Sequence, residues 1–229
     1  MPGQIYETIT GFLKLGGPVV AILLALSVLA LALIVMKLFQ FSRQRVGKNG
    51  PARKALQMWF AGDASAAMDQ LRGRKGLVSR AAFLTMAELA KRPVDKSAIE
   101  DKVATLATGQ LHGLQSGLRT LDSIAQIAPL LGLFGTVLGM IEAFQNLQSA
   151  GNAVDPSILA GGIWVALLTT AVGLAVAMPV SMVVTWFESR IENERVSVET
   201  VVGELVNGGE RDPVEPDHPA AQPTLVVAH

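Results

Sequence analysis

Cysteine is absent from the 229 residues, which removes disulfide scaffolds, thiolate metal sites and cysteine nucleophiles together. Histidine is scarce, and His112, His218 and His229 are too scattered along the chain to make a metal site. Net charge is missing as well: 19 basic and 19 acidic residues cancel, so the information lies in how they are sorted along the chain. Charge of either sign is sparse at 17%, against 50% hydrophobic residues, which places much of the apolar surface where water is absent. A membrane class follows. Gly132-Leu-Phe-Gly135-Thr136 has the glycines of a phosphate loop but neither its lysine nor its strand-to-helix setting. No nucleophile–base pair or metal cluster sits in or beside the apolar runs, so a membrane enzyme is the least favoured class and no cofactor is expected.

What the chain does have is three long apolar runs. No charge separates Lys14 from Lys37, and Pro18 to Met36 is apolar except for Ser27, matching the roughly 20 residues needed to cross a bilayer core. A cleaved leader is not expected despite Ala30-Leu31-Ala32, because the run is too long and its N-terminal flank lacks a positive cluster. The second run is Ser123 to Ile141, with Pro129 inside it, a proline that a packed membrane helix can accommodate. The third lies between Asp155 and Glu188, long enough to require tilt or emergence into water, with Pro179 as a candidate kink. The fold class is therefore all-α, an integral membrane protein with three transmembrane helices and long helical extensions into the cytoplasm. Its expected organisation is an outer N-terminus at 1–16, spans at 17–39, 123–145 and 161–187, a helical cytoplasmic loop at 40–122, an outer loop at 146–160, a cytoplasmic helical extension at 188–206 and a disordered tail at 207–229.

Orientation rests on the retention of Lys and Arg near span ends on the cytoplasmic side. Lys37, Arg43, Arg45, Lys48, Arg53 and Lys54 follow the first run, whereas Gln145 to Gly161 between the second and third contains no Lys or Arg. The first loop is thus inside, the N-terminus periplasmic and the C-terminus cytoplasmic, with Lys14 the one dissenting charge. The basic residues, especially near Lys37 and Arg43, read as orientation and lipid-headgroup charges and not as a nucleic-acid surface.

Between the first two spans the apolar residues recur at three and four, which argues helices. Ser97 with Glu100 forms a capping-box pattern, and Ala107, Leu111, Leu114, Leu118, Leu121, Ala125 and Ala128 continue one stripe, predicting an unbroken helix into the second span. Phe187, Ile191, Val198, Val201 and Leu205 similarly extend the third span's helix. These stripes serve either contacts within one subunit or packing between subunits. Beyond Asn207, Gly208-Gly209 and Pro213, Pro216, Pro219 and Pro223 leave little capacity for a core.

Small residues line two of the spans. Gly162, Ala166, Thr170, Gly173, Ala177 and Ser181 share a face of the third at spacings of four and three, and Ala125, Ala128, Gly132, Gly135 and Gly139 share one on the second, with Thr136 at its edge. Close helix packing is the plain reading of the glycines and alanines. The hydroxyls of Thr136 and Thr170 either bond a carbonyl one turn back or line a polar path for protons or a partner's carboxylate. Glu142, about one turn from the outer end of its span, either snorkels to water or acts as a functional intramembrane acid.

Two segments carry a resemblance: Ala128-Pro-Leu-Leu-Gly-Leu-Phe-Gly-Thr-Val-Leu-Gly-Met140 and Gly161-Gly-Ile-Trp-Val-Ala-Leu-Leu-Thr-Thr-Ala-Val-Gly-Leu-Ala-Val-Ala-Met-Pro179. They resemble the paired signatures of the ExbB/TolQ/MotA proton-channel family, nearest its ExbB branch, strongly over about Ser123 to Arg190 and elsewhere by architecture. The resemblance implies a homo-oligomeric ring, a pentamer, around a dimer of single-span ExbD-type subunits in the inner membrane. Proton flow would drive work at the outer membrane through a TonB-like protein. It also implies that Thr136 and Thr170 are the pore-lining hydroxyls facing a partner's membrane aspartate. The family usually has glutamate where this chain has Val165. Val165 lies about one turn below the outer surface, close to the depth expected of Glu142, so Glu142 is a candidate replacement acid. A TolQ-like role in envelope maintenance and a non-conducting membrane scaffold are the alternatives.

Overall fold

A computed structural model describes residues 2–91, 95–149 and 156–208, with side chains described from residue 17 onward except at 156 and 158. The described residues form seven helices: α1 (Pro2–Gln44), α2 (Gly50–Phe60), α3 (Ala64–Leu71), α4 (Leu77–Leu89), α5 (Lys96–Gln115), α6 (Leu118–Ser149) and α7 (Pro156–Asn207). Residues 150–155 of the expected outer loop, and the tail from residue 209, lie outside the described residues, while 146–149 and 156–160, expected as loop, belong to the ends of α6 and α7. Three segments are long and apolar enough to cross a membrane: Gly17–Gln44, and parts of Lys96–Ser149 and of Leu159–Asn207. Their most apolar windows are only 22%, 22% and 28% buried within the subunit, so most of that surface must meet lipid or other protein. Leu31, Phe39, Leu130, Trp164 and Met182, each more than 60% exposed, stand on it.

The long helices are not uninterrupted cylinders. The backbone of α1 breaks at Gly17 (φ 61°, ψ −158°), with Pro18 opening the next stretch, where its missing N–H costs nothing. Past Gly17, α1 runs to Gln44 and packs against both α6 and α7. Pro179 leaves α7 continuous, and one 52-residue helix joins the third apolar run to the extension beyond it.

The expected unbroken helix into the second span is corrected. α5 stops at Gln115, Ser116 is extended (ψ 130°), Gly117 sits at φ 80°, and α6 restarts at Leu118. A positive φ is available to glycine without the Cβ clash that other residues meet, so Gly117 is what permits the break. The buried stripe nevertheless continues across it, from Ile99, Val103, Ala107, Leu111 and Leu114 to Leu118, Leu121 and Ile124. The carbonyls orphaned at the end of α5 are met from α1: Lys37 Nζ donates to the Leu114 carbonyl (3.0 Å) and to Gln40 Oε1 (2.8 Å), and Gln40 Nε2 donates to the Gly113 carbonyl (3.1 Å). Lys37 is therefore a buried helix cap, 6% exposed, which corrects its reading as a headgroup charge. The cap at the start of α5 is also not Ser97: Asp95 occupies that place and accepts the Ala98 N–H (3.1 Å).

The main core lies where α2, α4, α5 and the start of α6 pack on the second half of α7, with α3 packed on α2 and α4. Leu71, Met86, Leu114, Leu121, Phe187, Ile191, Val201 and Leu205 are buried there. Each such side chain contributes roughly 1.5–3 kcal/mol of burial. A smaller cluster of Val19, Leu23, Ala128 and Ala177 fastens α1 to α6 and α7 inside the apolar layer.

Candidate functional site: the glycine seam between α6 and α7

The antiparallel α6 and α7 meet along the small residues expected from the sequence. A Cβ added at Gly132 would lie 2.9 Å from the Thr169 carbonyl oxygen, one at Gly139 3.0 Å from Ala166 Cβ, one at Gly162 2.5 Å from Ala143 Cβ, and one at Gly173 2.6 Å from the Ala128 carbonyl oxygen. The backbones are too close for any side chain at Gly162 or Gly173 without movement. Dispersion between the two surfaces is available in lipid, where the hydrophobic effect gives helices no reason to associate. Ala166 and Ala177 are buried on the same face, whereas Ser181 is exposed.

The hydroxyl that enters the seam is that of Thr169, which is 3% exposed. Its Oγ1 lies 2.7 Å from the Ala166 carbonyl on its own helix and 3.0 Å from the Gly132 carbonyl on α6, so its single hydrogen is divided between two acceptors. Gly135 exists as glycine for the same reason, since a Cβ there would stand 2.6 Å from Thr169 Oγ1. Sequence spacing pointed to Thr170 in the stripe, and the neighbouring residue takes the place instead.

Thr136 and Thr170 flank the seam in different states. Thr136 donates to the Leu133 carbonyl (2.6 Å) and borders an open pocket of about 640 Å³ with Val137, Met140, Ile141 and Phe144. Thr170 Oγ1 is shielded from solvent and has no hydrogen-bond partner, alone in this among side-chain polar atoms of the described residues. A threonine in a helix ordinarily bonds back one turn, and leaving the hydroxyl unpaired costs about 1–3 kcal/mol. The two hydroxyls are not bonded to each other.

Glu142 is exposed and Val165 half-buried, and both line a pocket of about 460 Å³ with Gly17, Pro18, Asn146 and Gly161. Because Gly162 faces Ala143 and Ala166 faces Gly139, Val165 sits only about two residues, roughly half a turn, deeper than Glu142 along the antiparallel pair. Among the described residues no group of three or more His, Asp or Glu side chains could hold a metal ion.

The chain's likeness to known proteins centres on this helix pair. The family model described as the MotA/TolQ/ExbB proton channel family matches residues 74–200, more than half of the chain, from just before α4 to near the end of α7. The biopolymer transport protein exbB1 of Vibrio cholerae is 46% identical over 91 residues, 40% of either chain. A putative biopolymer transport protein ExbB homolog of Methanothermobacter thermautotrophicus is 36% identical over 115 residues, 50% of this chain and 40% of that one. The Tol-Pal system protein TolQ of Pseudomonas aeruginosa is 32% identical over 120 residues, 50% of this chain and 52% of its own. The matches thus span about half the length of these relatives or less.

Proposed function

We propose that this chain, which belongs to the MotA/TolQ/ExbB proton channel family, is an ExbB-like motor subunit of the bacterial inner membrane. With single-span ExbD-type partners it converts proton motive force into work at the outer membrane through a TonB-like protein, as in nutrient import. The N-terminus is periplasmic and the C-terminus cytoplasmic, following the basic residues after the first span. Copies assemble as a ring, a pentamer, around the partner helices.

The observation that carries this reading is the uncommitted Thr170 hydroxyl within an apolar layer. Its own subunit gives it no partner, so it is free to bond an acidic side chain or water supplied by a second protein. Thr136, whose hydrogen rests on one carbonyl of its own helix beside an open pocket, can exchange that bond for another. Two such hydroxyls flanking a rigid seam provide relay points for protons handed to and from a partner's carboxylate. At the outer end, Glu142 supplies the acid absent at Val165, a role supported by the pocket the two positions share.

The test is proton flux, followed with a pH dye in liposomes holding the chain and its partner. Thr136→Val with Thr170→Val should reduce flux to that of the partner alone, and Glu142→Gln should lower it, with recovery on adding Val165→Glu. Undiminished flux in the double threonine variant would refute the reading. Val165 specifically favours one alternative, a non-conducting scaffold, which would show no flux in the parent and gain it with Val165→Glu. The TolQ likeness supports a second, a motor for envelope maintenance with the same mechanism and a different protein pulled.

A further inference from the structure

The end of α1 is built in an unusual way. Arg45 N–H donates to the Ser42 carbonyl (3.2 Å) and Val46 N–H to the Phe41 carbonyl (3.3 Å), the paired bonds of a Schellman motif, with Arg45 at its left-handed position (φ 54°). Glycine ordinarily takes that place, and Arg45 is the only non-glycine residue with positive φ among the described residues. An arginine held where its backbone is disfavoured points to a use for its side chain.

The turn that follows is anchored to α7 at three levels. The Phe41 and Phe187 rings meet at 4.7 Å, tilted by 59°, Gly47 N–H donates to Glu194 Oε2 (2.7 Å), and Asn49 Nδ2 donates to Ser197 Oγ (2.7 Å). Arg190 reaches the same turn from α7: its guanidinium lies 5.3 Å over the Trp186 ring, and a terminal nitrogen lies 3.5 Å from where a Gly47 Cβ would be. Arg45, Lys48 and Arg190 are exposed, and no salt bridge or side-chain hydrogen bond engages their charged groups. Glu194, the carboxylate bonded to this turn, is 2% exposed and accepts from the Gly47 backbone N–H. One and two turns before Arg190 on the same face of α7 stand Trp186 (45% exposed) and Met182 (75%). Three exposed cations around one turn thus border an exposed apolar surface, with a tryptophan at the boundary.

We infer that Arg45, Lys48 and Arg190 form a binding site for the phosphate headgroup of an anionic phospholipid, with one acyl chain lying along Met182 and Trp186. The arginines present guanidinium donors to phosphate oxygens, and Trp186 keeps Arg190 extended over the turn. The site does not depend on whether the chain conducts protons. It clamps lipid at the joint where α1 docks on α7.

The experiment uses Trp186 as its reporter. With Trp59→Phe and Trp164→Phe removing the other two tryptophans, the full chain is placed in vesicles of phosphatidylcholine and phosphatidylglycerol, one of the two brominated at a time. The brominated phosphatidylglycerol should quench Trp186 with a relative binding constant about tenfold above that of phosphatidylcholine, and Arg45→Gly or Arg190→Gln should each lower the ratio about fivefold. Arg45→Gly suits the left-handed position, so the fold persists while the charge goes. Arg45→Lys should keep most of the preference, and Arg72→Gln, remote from the turn, should leave it unchanged. Equal quenching by the two lipids in the parent, or a preference untouched by both arginine substitutions, overturns the site. Relief of quenching by soluble inorganic phosphate would equally overturn it, by showing a free-anion site in place of a lipid one.

Discussion

Replacing Gly173 with alanine isolates the close approach of α6 and α7. The new Cβ would stand 2.6 Å from the Ala128 carbonyl oxygen, 3.1 Å from Gly132 Cα and 3.3 Å from Gly132 N, all backbone atoms that no rotamer change can move aside. The helices must therefore separate, losing contacts along the seam, at a cost of about 1–3 kcal/mol for overpacking. Alanine at an exposed helical position does the opposite. Gly109 lies on α5 with nothing within 4 Å of its added Cβ, so Gly109→Ala should gain up to about 1 kcal/mol of helix propensity. For a chain of this size each kcal/mol moves the unfolding temperature by roughly 2–4 °C. Thermal unfolding in detergent, followed by circular dichroism, should show Gly173→Ala several degrees below the parent and Gly109→Ala slightly above it. A Gly173→Ala protein as stable as Gly109→Ala would refute the packing argument.

Three further outcomes follow from individual contacts. Thr169→Val keeps the shape of the side chain but deletes its bond to the Gly132 carbonyl, and should destabilise by about 0.5–2 kcal/mol in the same assay, with Thr169→Ser recovering part of the loss. Burial pushes the Glu194 carboxyl above its ordinary range, opposed by the Gly47 and Val78 N–H groups. A raised folded-state value means the native protein holds that proton more tightly, so this contribution to stability is fully present below the unfolded carboxyl value and is lost as pH rises through the folded one. Glu194→Gln should therefore gain on the parent in unfolding temperature as pH rises from about 4 to 7. Glu194→Ala, which strands the Gly47 N–H, should be the less stable by about 1–3 kcal/mol throughout.

Reading the chain as a sequence recovered what depends on long apolar runs and small-residue spacing, and missed what depends on register. The three spans and the glycines of the seam were legible because one helix face in lipid has few compositions that allow close approach. Thr169 was not, since positions 169 and 170 both fall three or four residues from Ala166 and Gly173, and only the rotation of α7 against Gly132 decides between them. The break at Gly117 left no trace in the hydrophobic stripe, because Leu114, Leu118 and Leu121 keep the helical interval across it. Lys37 looked like an interfacial charge because sequence gives no sign that a helix from 77 residues away ends beside it. Asp95 and Ser97 are both good caps two residues apart, closer than boundary reading resolves.

The absence of cysteine makes the central claim directly measurable, because any introduced thiol is unique. Thr136→Cys and Thr170→Cys, each assembled in liposomes with the ExbD-type partner proposed above, would be exposed to a charged methanethiosulfonate that does not enter lipid, with Val28→Cys on α1 as the control. The account predicts that both seam-flanking thiols react and that the modification stops proton flux, while Val28→Cys stays unmodified. Thiols at 136 and 170 as inert as the one at 28, labelled only by a lipid-soluble maleimide and without effect on flux, would contradict it.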